Sequence, residues 1–477
     1  MMDRCCSRHD SVSLAEKYVP TLRSTSWLLI FLSQIVVGIS SLVLPWQYLI
    51  ILWFCVVSII LCVYKPVFCF LLICLSLIPA FRTVEFVSAG IVHIRPTDPV
   101  LLVAFFTLLL AGVREKRIAF QKSILDIPLL LLLGWVTLSL LWTPSAARGV
   151  EHYLRILAGF ATYFFTINLI RTRNDYQFAV IGFLVVLVVF CFFGIYELLT
   201  EGVKGAIEAV QGPRLKVGGV QAVKSAAGDA LGYLLNIGFI VAIPLYFTTV
   251  SKRLKSFTFI AIIIMSLGMI AAFSRKSWVA LFVVIVFLGM RHKRILLLSM
   301  LLFFITAIFV YLAGPPELAE VVYKRFSLIF VPAEVAIPSR IVTWRAILEM
   351  VGETPVIGHG VGSFFVLSEE TGSPLVRAHN LALYLLMDLG LIGLVLYMFL
   401  LIMLLSGFYE FSKRCIDERT RFILRGYGAG FLLLLIQGGF RTLGLYDRIV
   451  WVYFGLTVVF LGLFFPSEEE KYKPTKL

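Results

Sequence analysis

Charged residues are scarce in this chain of 477 residues. They make up 15% of it, whereas a soluble globular protein carries about 25%. Hydrophobic residues account for 60%, above the about 45–50% of ordinary soluble domains. Too few charges are present to cover so much apolar surface in water, which excludes an ordinary soluble protein and indicates burial in lipid.

Acidic residues are fewer than basic residues. The chain has 28 Asp and Glu against 42 Lys and Arg, which gives a formal net charge of +14. A basic balance is compatible with nucleic acid, a membrane surface or an anionic substrate. The basic residues are scattered over short loops between apolar runs and form no stripe or separate domain. We therefore expect no nucleic-acid partner and favour membrane lipids and an anionic substrate.

Cysteines positioned for disulfides are also lacking. All eight lie in apolar runs or in segments assigned to the cytoplasm, so neither disulfides nor a metal cluster are expected. They are Cys5, Cys6, Cys55, Cys62, Cys69, Cys74, Cys191 and Cys415. No Asp, Glu and His cluster is evident in the sequence, so we expect no catalytic metal and no cofactor. Residues 1–24 carry acids and bases without an apolar core, which predicts a cytoplasmic tail and not a cleaved signal peptide.

Long apolar runs fill most of the remaining sequence. They lie near residues 25–43, 46–63, 66–80, 98–113, 127–143, 152–170, 177–199, 228–249, 256–272, 276–290, 295–313, 380–408, 422–438 and 449–465. One membrane span takes roughly 20 apolar residues. The sequence therefore predicts an all-α polytopic integral membrane protein with about fourteen transmembrane helices. Several runs are short or closely spaced, so about 12 or 13 helices also fit.

The same runs divide the chain into five segments. We predict a cytoplasmic tail at 1–24, eleven transmembrane helices in 25–313, a large helical periplasmic loop at 314–379, three more helices in 380–465 and a cytoplasmic tail at 466–477. A second outer loop is expected near 200–227. Within the large loop, apolar residues recur every three or four positions over 340–353, which predicts an amphipathic helix on the membrane surface or over a cavity.

Basic loops predict the orientation, because Lys and Arg prefer the cytoplasmic side of a membrane. Five connections are strongly basic, at 114–117, 171–173, 252–255, 291–294 and 413–421. Counting helices between them puts all five on the same side. This places both termini in the cytoplasm and the long loops outside it.

Several basic residues run against this bias on the outer side. They are Arg214, Lys216, Arg275, Lys276, Arg340, Arg345, Arg377, Arg441 and Arg448. Any one of them could equally reach lipid headgroups or cap a helix end. As a group they favour a polyanion site, because the planar guanidinium matches phosphate oxygens.

His379 is the candidate general base, since it opens a long apolar run on the outer side and histidine titrates near neutrality. An interfacial histidine bonded to its neighbours is the competing interpretation. Asp388, about two and a half turns further along, is either a functional carboxylate or a salt-bridge partner of an arginine. His359, in a glycine-rich turn, is interpreted as structural.

Three segments, in this order, resemble motifs of the bacterial O-antigen ligase and polymerase superfamily. SRKSWVA at 274–280 is similar to a Ser-Arg-Gly-x-Trp-x-Ala pattern, with Lys276 in place of the glycine. Residues 340–364 resemble a stretch in which arginine and tryptophan precede a Pro-x-x-Gly-x-Gly turn. His379-Asn380, followed by DLGLIG at 388–393, resembles the His-Asn motif and its helix, with Asp388 where glutamate is expected. Arg214 and the two glycines after it give a weaker fourth match.

The resemblance implies a metal-independent, inverting membrane glycosyltransferase. Its donor would be a glycan on undecaprenyl or another polyprenyl pyrophosphate, at the periplasmic face of the bacterial inner membrane. Arg214, Arg275 and Arg340 would bind the pyrophosphate, and His379 would take the proton from an acceptor hydroxyl. Supporting candidates are Lys276, Arg345, Arg377, Asn380 and Asp388.

The acceptor remains open between three possibilities. A ligase would transfer the polysaccharide to lipid A–core in lipopolysaccharide biosynthesis, a polymerase would transfer a growing chain to the next lipid-linked repeat unit, and a third enzyme would use a protein hydroxyl. The ligase is favoured slightly, because the large outer loop lies between two motif regions. A lipid-linked glycan flippase or transporter is the alternative of another class. The ionisable residues cluster at one membrane face and no internal repeat is evident, which favours an enzyme.

Overall fold

The computed structural model describes most of the chain between residues 57 and 465. The described ranges are 57–77, 87–89, 92–94, 97–114, 120–211, 231–272, 274–313, 338–364, 380–414, 417–439 and 445–465, with positions 323, 326, 327, 330 and 366. Side chains of 193–211 are outside this description. Among the predicted site residues, Arg214, Arg377 and His379 lie outside the described residues.

Thirteen helices and one short hairpin are assigned within these ranges. In chain order they are α1 Val67–Ser76, β1 Val87–Ala89, β2 Val92–Ile94, α2 Thr97–Arg114, α3 Asp126–Leu138, α4 Ala146–Leu169, α5 Arg173–Gln211, α6 Gly232–Thr248, α7 Lys252–Ala271, α8 Arg275–Gly289, α9 Lys293–Ala313, α10 Pro338–Glu353, α11 Leu381–Arg414, α12 Glu418–Gly439 and α13 Arg448–Phe464. A 3₁₀ turn, Ser139–Leu141, follows α3. The hairpin pairs β1 and β2 antiparallel, with Ser88 opposite His93.

Helices coincide with each predicted apolar run that lies wholly in the described ranges, so the predicted helical class is confirmed. Four helices are long and apolar enough to cross a membrane: Arg173–Phe192, Lys252–Ile270, Leu381–Arg414 and Glu418–Gly439. Five further apolar helices of 10–17 residues accompany them in the same part of the chain. The chain is therefore a helical membrane protein, and the total of fourteen spans stays a prediction.

The predicted outer loop near 200 begins later than expected. Helix α5 continues to Gln211, because the segment after residue 199 is polar but still rich in good helix formers such as Glu, Lys and Ala. The drop in hydropathy marks the end of the apolar run and not the end of the helix.

Helix α13 lies at the centre of the bundle. Its residues from Arg448 to Leu461 are all buried. Small residues allow close approach to α4: a Cβ on Gly159 would lie 2.6 Å from Trp451 Cδ1, and one on Gly455 would lie 2.6 Å from Thr166 Cβ. Small residues at such contacts are typical of helix packing in membranes, where the gain comes from close van der Waals contact.

Contacts around the ends of α5, α11 and α13 bring two basic loops together. Arg173 Nε donates to the Leu463 carbonyl at 3.3 Å, and its guanidinium lies 4.8 Å from the centroid of the Phe464 ring. Phe411, just before the α11–α12 loop, packs on Phe465 at 5.0 Å. The α4–α5 and α11–α12 loops therefore lie at the same end of the bundle.

The α8–α9 loop, the α6–α7 loop and the described part of the α2–α3 connection lie at this end too. His292 of the α8–α9 loop packs on Phe422 at 4.4 Å, and Phe247, just before the α6–α7 loop, packs on the same ring at 6.1 Å. Gln121 N donates to Asn168 Oδ1 at 2.9 Å, which joins the α2–α3 connection to the end of α4. We call this the basic end of the bundle, and the other the opposite end.

Candidate functional site

Arg275 and the start of α11 lie at the opposite end. Helix α8 packs along α12, and His292 beyond the far end of α8 contacts Phe422 near the start of α12. Arg275 lies about 24 Å from His292 along α8, and Gly438 lies about 24 Å from Phe422 along α12. Both distances lead away from the basic end. A Cβ on Gly438 would lie 3.6 Å from the side chain of Leu381, the first residue of α11. Arg275 is therefore level with the beginning of α11.

The SRKSWVA segment is held by neighbouring helices. Ser274 is extended and precedes the helix as its N-cap residue, and Ser277 Oγ donates to Ser274 Oγ at 3.0 Å. Asn236 Nδ2 of α6 donates to the Ser277 carbonyl at 3.1 Å. Gly232 leaves room for this contact, since a Cβ there would lie 2.9 Å from Ser277 Cβ. The start of α8 is thereby fixed against α6.

This anchoring presents two cations at a helix N-terminus. Arg275 and Lys276 are half-buried in the first turn of α8, and Trp278 Nε1 in the same turn donates to the Met269 carbonyl at 2.9 Å. The positive end of the helix dipole also favours an anion there. The segment is thus suited to binding a phosphate group.

Helix α10 packs one face against the beginning of α11. Ile347 is fully buried in a cluster with Phe364, Tyr384 and Met387. Arg340 is half-buried and lies seven residues earlier on the same face, about 10 Å towards the N-terminus of α10.

Arg345 is exposed and lies on a different face of α10. The structure therefore brings Arg340 to the packed face and separates Arg345 from it. Asn380 caps α11, with its Oδ1 accepting from Leu383 N at 3.2 Å. This contact gives Asn380 a structural role directly after His379.

Helix α11 is interrupted at Gly390, which corrects the single continuous run predicted over 380–408. Gly390 has φ 65° and ψ −168°, a conformation that only glycine adopts readily. In an unbroken helix Leu391 N and Ile392 N would donate to the carbonyls four residues earlier. Here they donate to Pro355 O at 2.9 Å and Val356 O at 3.2 Å.

The carbonyls released by the break also have partners. Met387 O accepts from His359 N at 2.8 Å, and Asp388 O accepts from Gly360 N at 2.9 Å. Leu389 O accepts from Trp135 Nε1 of α3 at 2.9 Å. The turn after α10 therefore fills the helix break, which satisfies the backbone groups that lipid could not.

The turn depends on glycine in its own right. Gly358, Gly360 and Gly362 have φ angles of 69°, 93° and 80°. A Cβ on Gly360 would lie 2.6 Å from Thr143 Cα, so a side chain there would push the turn away from the α3–α4 connection. The Pro-x-x-Gly-x-Gly pattern thus encodes a turn that inserts into α11. We call residues 355–364 the glycine turn.

Asp388 binds the glycine turn. Its carboxylate accepts from Gly362 N at 2.9 Å, Ser363 Oγ at 2.9 Å, Phe364 N at 3.1 Å and Tyr446 OH at 3.3 Å. Within the described part of the chain it forms no ion pair, so the salt-bridge interpretation is wrong for the arginines described. His359 is held similarly, by its backbone bond to Met387 and by Thr354 Oγ1 3.0 Å from its Nδ1.

Tyr446 was not predicted from the sequence. Its hydroxyl lies 2.5 Å from that of Tyr384, and its ring packs on His152 of α4 at 5.2 Å. Burial raises the pKa of the Tyr446 hydroxyl well above its usual value, so it stays protonated and can donate. Tyr384 and Asp388 lie on the same face of α11 at i, i+4 spacing, and this spacing is visible in the sequence. Nothing local points to Tyr446, which lies 58 residues away.

Two further groups of charged residues lie at the opposite end. Arg448 pairs with Asp98 of α2 at 2.6 Å, so this arginine, predicted to face outward, has an acidic partner. At the start of α4, Glu151 pairs with Arg155 and, at 3.4 Å, with Arg148. No group of three or more His, Cys, Asp or Glu side chains in the described ranges could hold a metal ion.

Comparison with known families identifies the central part of the chain. Residues 260–398 match the family model of O-antigen ligase. This region is similar to the O-antigen ligase family. The match includes all three segments that carried the resemblance in the sequence, and that prediction is confirmed. No curated protein matches the chain.

Proposed function

We propose that this protein is a glycosyltransferase that moves a glycan from a polyprenyl pyrophosphate to an acceptor hydroxyl. The favoured reaction is that of an O-antigen ligase, with lipid A–core as the acceptor. The match of residues 260–398 to the O-antigen ligase family carries the proposal. Arg275 at the start of α8 and Arg340 on the packed face of α10 support it.

The pyrophosphate is proposed to bind at these arginines. Arg275 combines its own charge with a helix N-terminus, and Arg214 and Arg340 would supply further forks for phosphate oxygens. Each hydrogen bond to a charged group contributes about 1.5–3 kcal/mol. Contacts that strengthen as negative charge develops on the departing pyrophosphate would accelerate transfer. Lys276, Arg345 and Arg377 remain supporting candidates.

His379 is proposed as the general base. Neutral imidazole would accept the hydroxyl proton as the acceptor oxygen bonds to the anomeric carbon. The bond from that carbon to the pyrophosphate oxygen would break on the opposite side, which inverts the configuration. Asn380 caps α11 directly after His379, which would fix where the chain presents the base. Neither step needs a metal ion.

The orientation follows from the basic end. We propose that this end faces the cytoplasm, that about fourteen spans cross the inner membrane and that both termini are cytoplasmic. The chain would then run from a cytoplasmic tail at 1–24 through eleven spans in 25–313 to a periplasmic loop at 314–379. Three spans in 380–465 and a cytoplasmic tail at 466–477 would follow. Thiol labelling of intact cells tests this: Glu370→Cys should react with an impermeant reagent and Lys293→Cys should not. The reverse pattern would overturn the orientation.

A flippase or transporter remains the candidate of another class, because a helix broken near its middle is a feature of transporters. The break at Gly390 favours this alternative only in part. It is filled by the glycine turn and by Trp135, so in the described structure it does not line an open path.

In vitro transfer separates the candidates. Purified protein would be given a polyprenyl-pyrophosphate glycan with either lipid A–core or a second lipid-linked repeat unit. A ligase joins the glycan to lipid A–core, and a polymerase lengthens the lipid-linked chain. Movement of the donor across proteoliposomes without a new glycosidic bond would instead support the flippase. No transfer to either acceptor by folded protein would contradict the proposed function.

A further inference from the structure

We propose that Asp388 is a positioning residue, which fastens the glycine turn into the break of α11 and so holds Arg340 in place relative to the start of α11. The inference rests on the proposed function for its consequence, and on the described contacts for its geometry. We call Asp388 and its four donors the Asp388 clasp: Gly362 N, Ser363 Oγ, Phe364 N and Tyr446 OH.

The hydrogen bonds of the clasp exclude the Asp388 carboxylate from a direct role in the proposed transfer reaction. Asp388 is 1% exposed, and an ionised carboxylate offers about four acceptor positions. Four donors occupy them, two on each oxygen. Asp388 therefore has no acceptor position left for an acceptor hydroxyl or a sugar, which distinguishes it from a general base.

The donor pattern requires a carboxylate at this position. Oδ1 accepts a bond from Phe364 N, and Oδ2 accepts one from Gly362 N. A backbone N–H cannot reverse its direction, unlike the hydroxyls of Ser363 and Tyr446. An asparagine in either orientation would direct its NH₂ group at one of the two backbone donors. Asp388→Asn must therefore lose at least one backbone bond while keeping the same size.

The clasp connects α10, which carries Arg340, with α11, whose start follows the proposed base in the sequence. The glycine turn follows α10 directly, and Phe364 packs with Ile347 and Tyr384 between α10 and α11. Arg340 lies about 10 Å beyond Ile347, and Asn380 lies about 12 Å before Asp388 along its helix. Loosening the turn would shift α10, and with it Arg340, relative to the start of α11.

Contacts outside the family match reinforce the clasp. Thr143 Oγ1 donates to the Val361 carbonyl at 2.9 Å, and Val361 N donates to Ser139 Oγ at 3.3 Å. Tyr446 joins the clasp to His152 on α4. The clasp therefore fixes the active region of 260–398 to helices on both sides of it in the sequence.

Steady-state transfer kinetics of purified variants test the role. Asp388→Asn is expected to raise the donor KM by about five-fold or more, since Arg340 would be displaced, and to leave the acceptor KM within about two-fold. Ser363→Ala keeps both backbone bonds and should raise the donor KM by less. Glu410→Gln, in an exposed pair at the far end of the same helix, is the matched control and should leave both KM values unchanged.

A merely destabilised protein gives a different result, because a smaller folded fraction lowers the apparent kcat and leaves both KM values unchanged. That outcome, or a wild-type donor KM in Asp388→Asn, would overturn the positioning role. Should Asp388→Asn fail to fold, Ser363→Ala and Tyr446→Phe decide, and wild-type donor KM values in both would overturn it.

Hydrogen exchange tests the clasp without any transfer activity. The amides of Gly362 and Phe364 should exchange faster in Asp388→Asn than in wild type, and at wild-type rates in Glu410→Gln. Unchanged exchange in folded Asp388→Asn would refute the clasp itself. Faster exchange in Asp388→Asn, together with no glycan transfer by the wild-type protein, would refute the proposed function and leave the clasp standing.

Discussion

Replacing Gly390 by alanine should strongly destabilise the bundle. The backbone conformation at φ 65° and ψ −168° costs a residue with a side chain about 1–3 kcal/mol. The new Cβ would lie 2.5 Å from Gly358 N, so the glycine turn must move out of the break. Each buried backbone group that loses its partner adds about 1–3 kcal/mol. Strain and one or two lost bonds together give a cost of about 3 kcal/mol or more.

Gly352→Ala is the matched control. Gly352 lies near the end of α10 at an exposed position, and a Cβ there would meet nothing within 4 Å. Alanine in a helix is more favourable than glycine by about 0.5–1 kcal/mol, so this variant should be as stable as wild type or slightly more so.

Unfolding of the purified proteins by increasing SDS in mixed micelles, followed by tryptophan fluorescence, measures the difference. Gly390→Ala should unfold at a clearly lower SDS fraction than wild type and Gly352→Ala. A Gly390→Ala midpoint equal to wild type would refute the argument that the turn is inserted in the break, because the clash follows directly from that insertion.

Three further predictions use the same assay. Trp135→Phe removes the donor to Leu389 O and should cost about 1–3 kcal/mol; an unchanged midpoint would contradict this bond. Asp98→Asn should cost about 1–3 kcal/mol, since the Arg448 side chain is only 11% exposed, and adding Arg448→Leu should cost less than the two single changes summed. Hydrogen bonds from Thr420 lower the pKa of Asp417, so the contribution of this carboxylate to stability is present above about pH 4 and is lost as the pH falls further. Asp417→Asn should lack this acid-dependent loss, and a pH profile of unfolding equal to that of wild type would exclude the effect.

The sequence predicts helices well because each needs only a local apolar run. The predicted run at 449–465 is α13, Arg448–Phe464, and the run at 295–313 is α9, Lys293–Ala313. Helix ends in polar sequence are harder, as α5 shows by continuing to Gln211. There the helix persists through its own backbone bonds after the apolar pattern has ended.

Long-range pairing could not be read from the sequence. The glycine motif at 358–362 predicts a turn, but nothing local indicates that its N–H groups bond to carbonyls of Met387 and Asp388. Asp388 stands out as a carboxylate in an apolar run, and the sequence left its role open between catalysis and a salt bridge. Its actual partners are backbone groups 24 and 26 residues away and the hydroxyls of Ser363 and Tyr446.

The candidate site is predicted in part. The sequence singled out Arg275, Arg340 and Asn380, and the fold brings Arg275 level with the start of α11 and Arg340 to the face packed on it. Arg345 was grouped with them, but three-dimensional packing leaves it exposed on another face. Arg448, also predicted to face outward, pairs with Asp98, 350 residues away in the sequence, a pairing that charge counting alone does not indicate.

Glycan transfer by purified His379→Ala tests the account most directly. Wild type should transfer the glycan from its polyprenyl pyrophosphate to the acceptor, and Glu410→Gln should do so equally well. His379→Ala should fold to the same extent, bind the donor and form no product above background, because no base takes the acceptor proton. Transfer by folded His379→Ala at the wild-type rate would contradict the proposed mechanism.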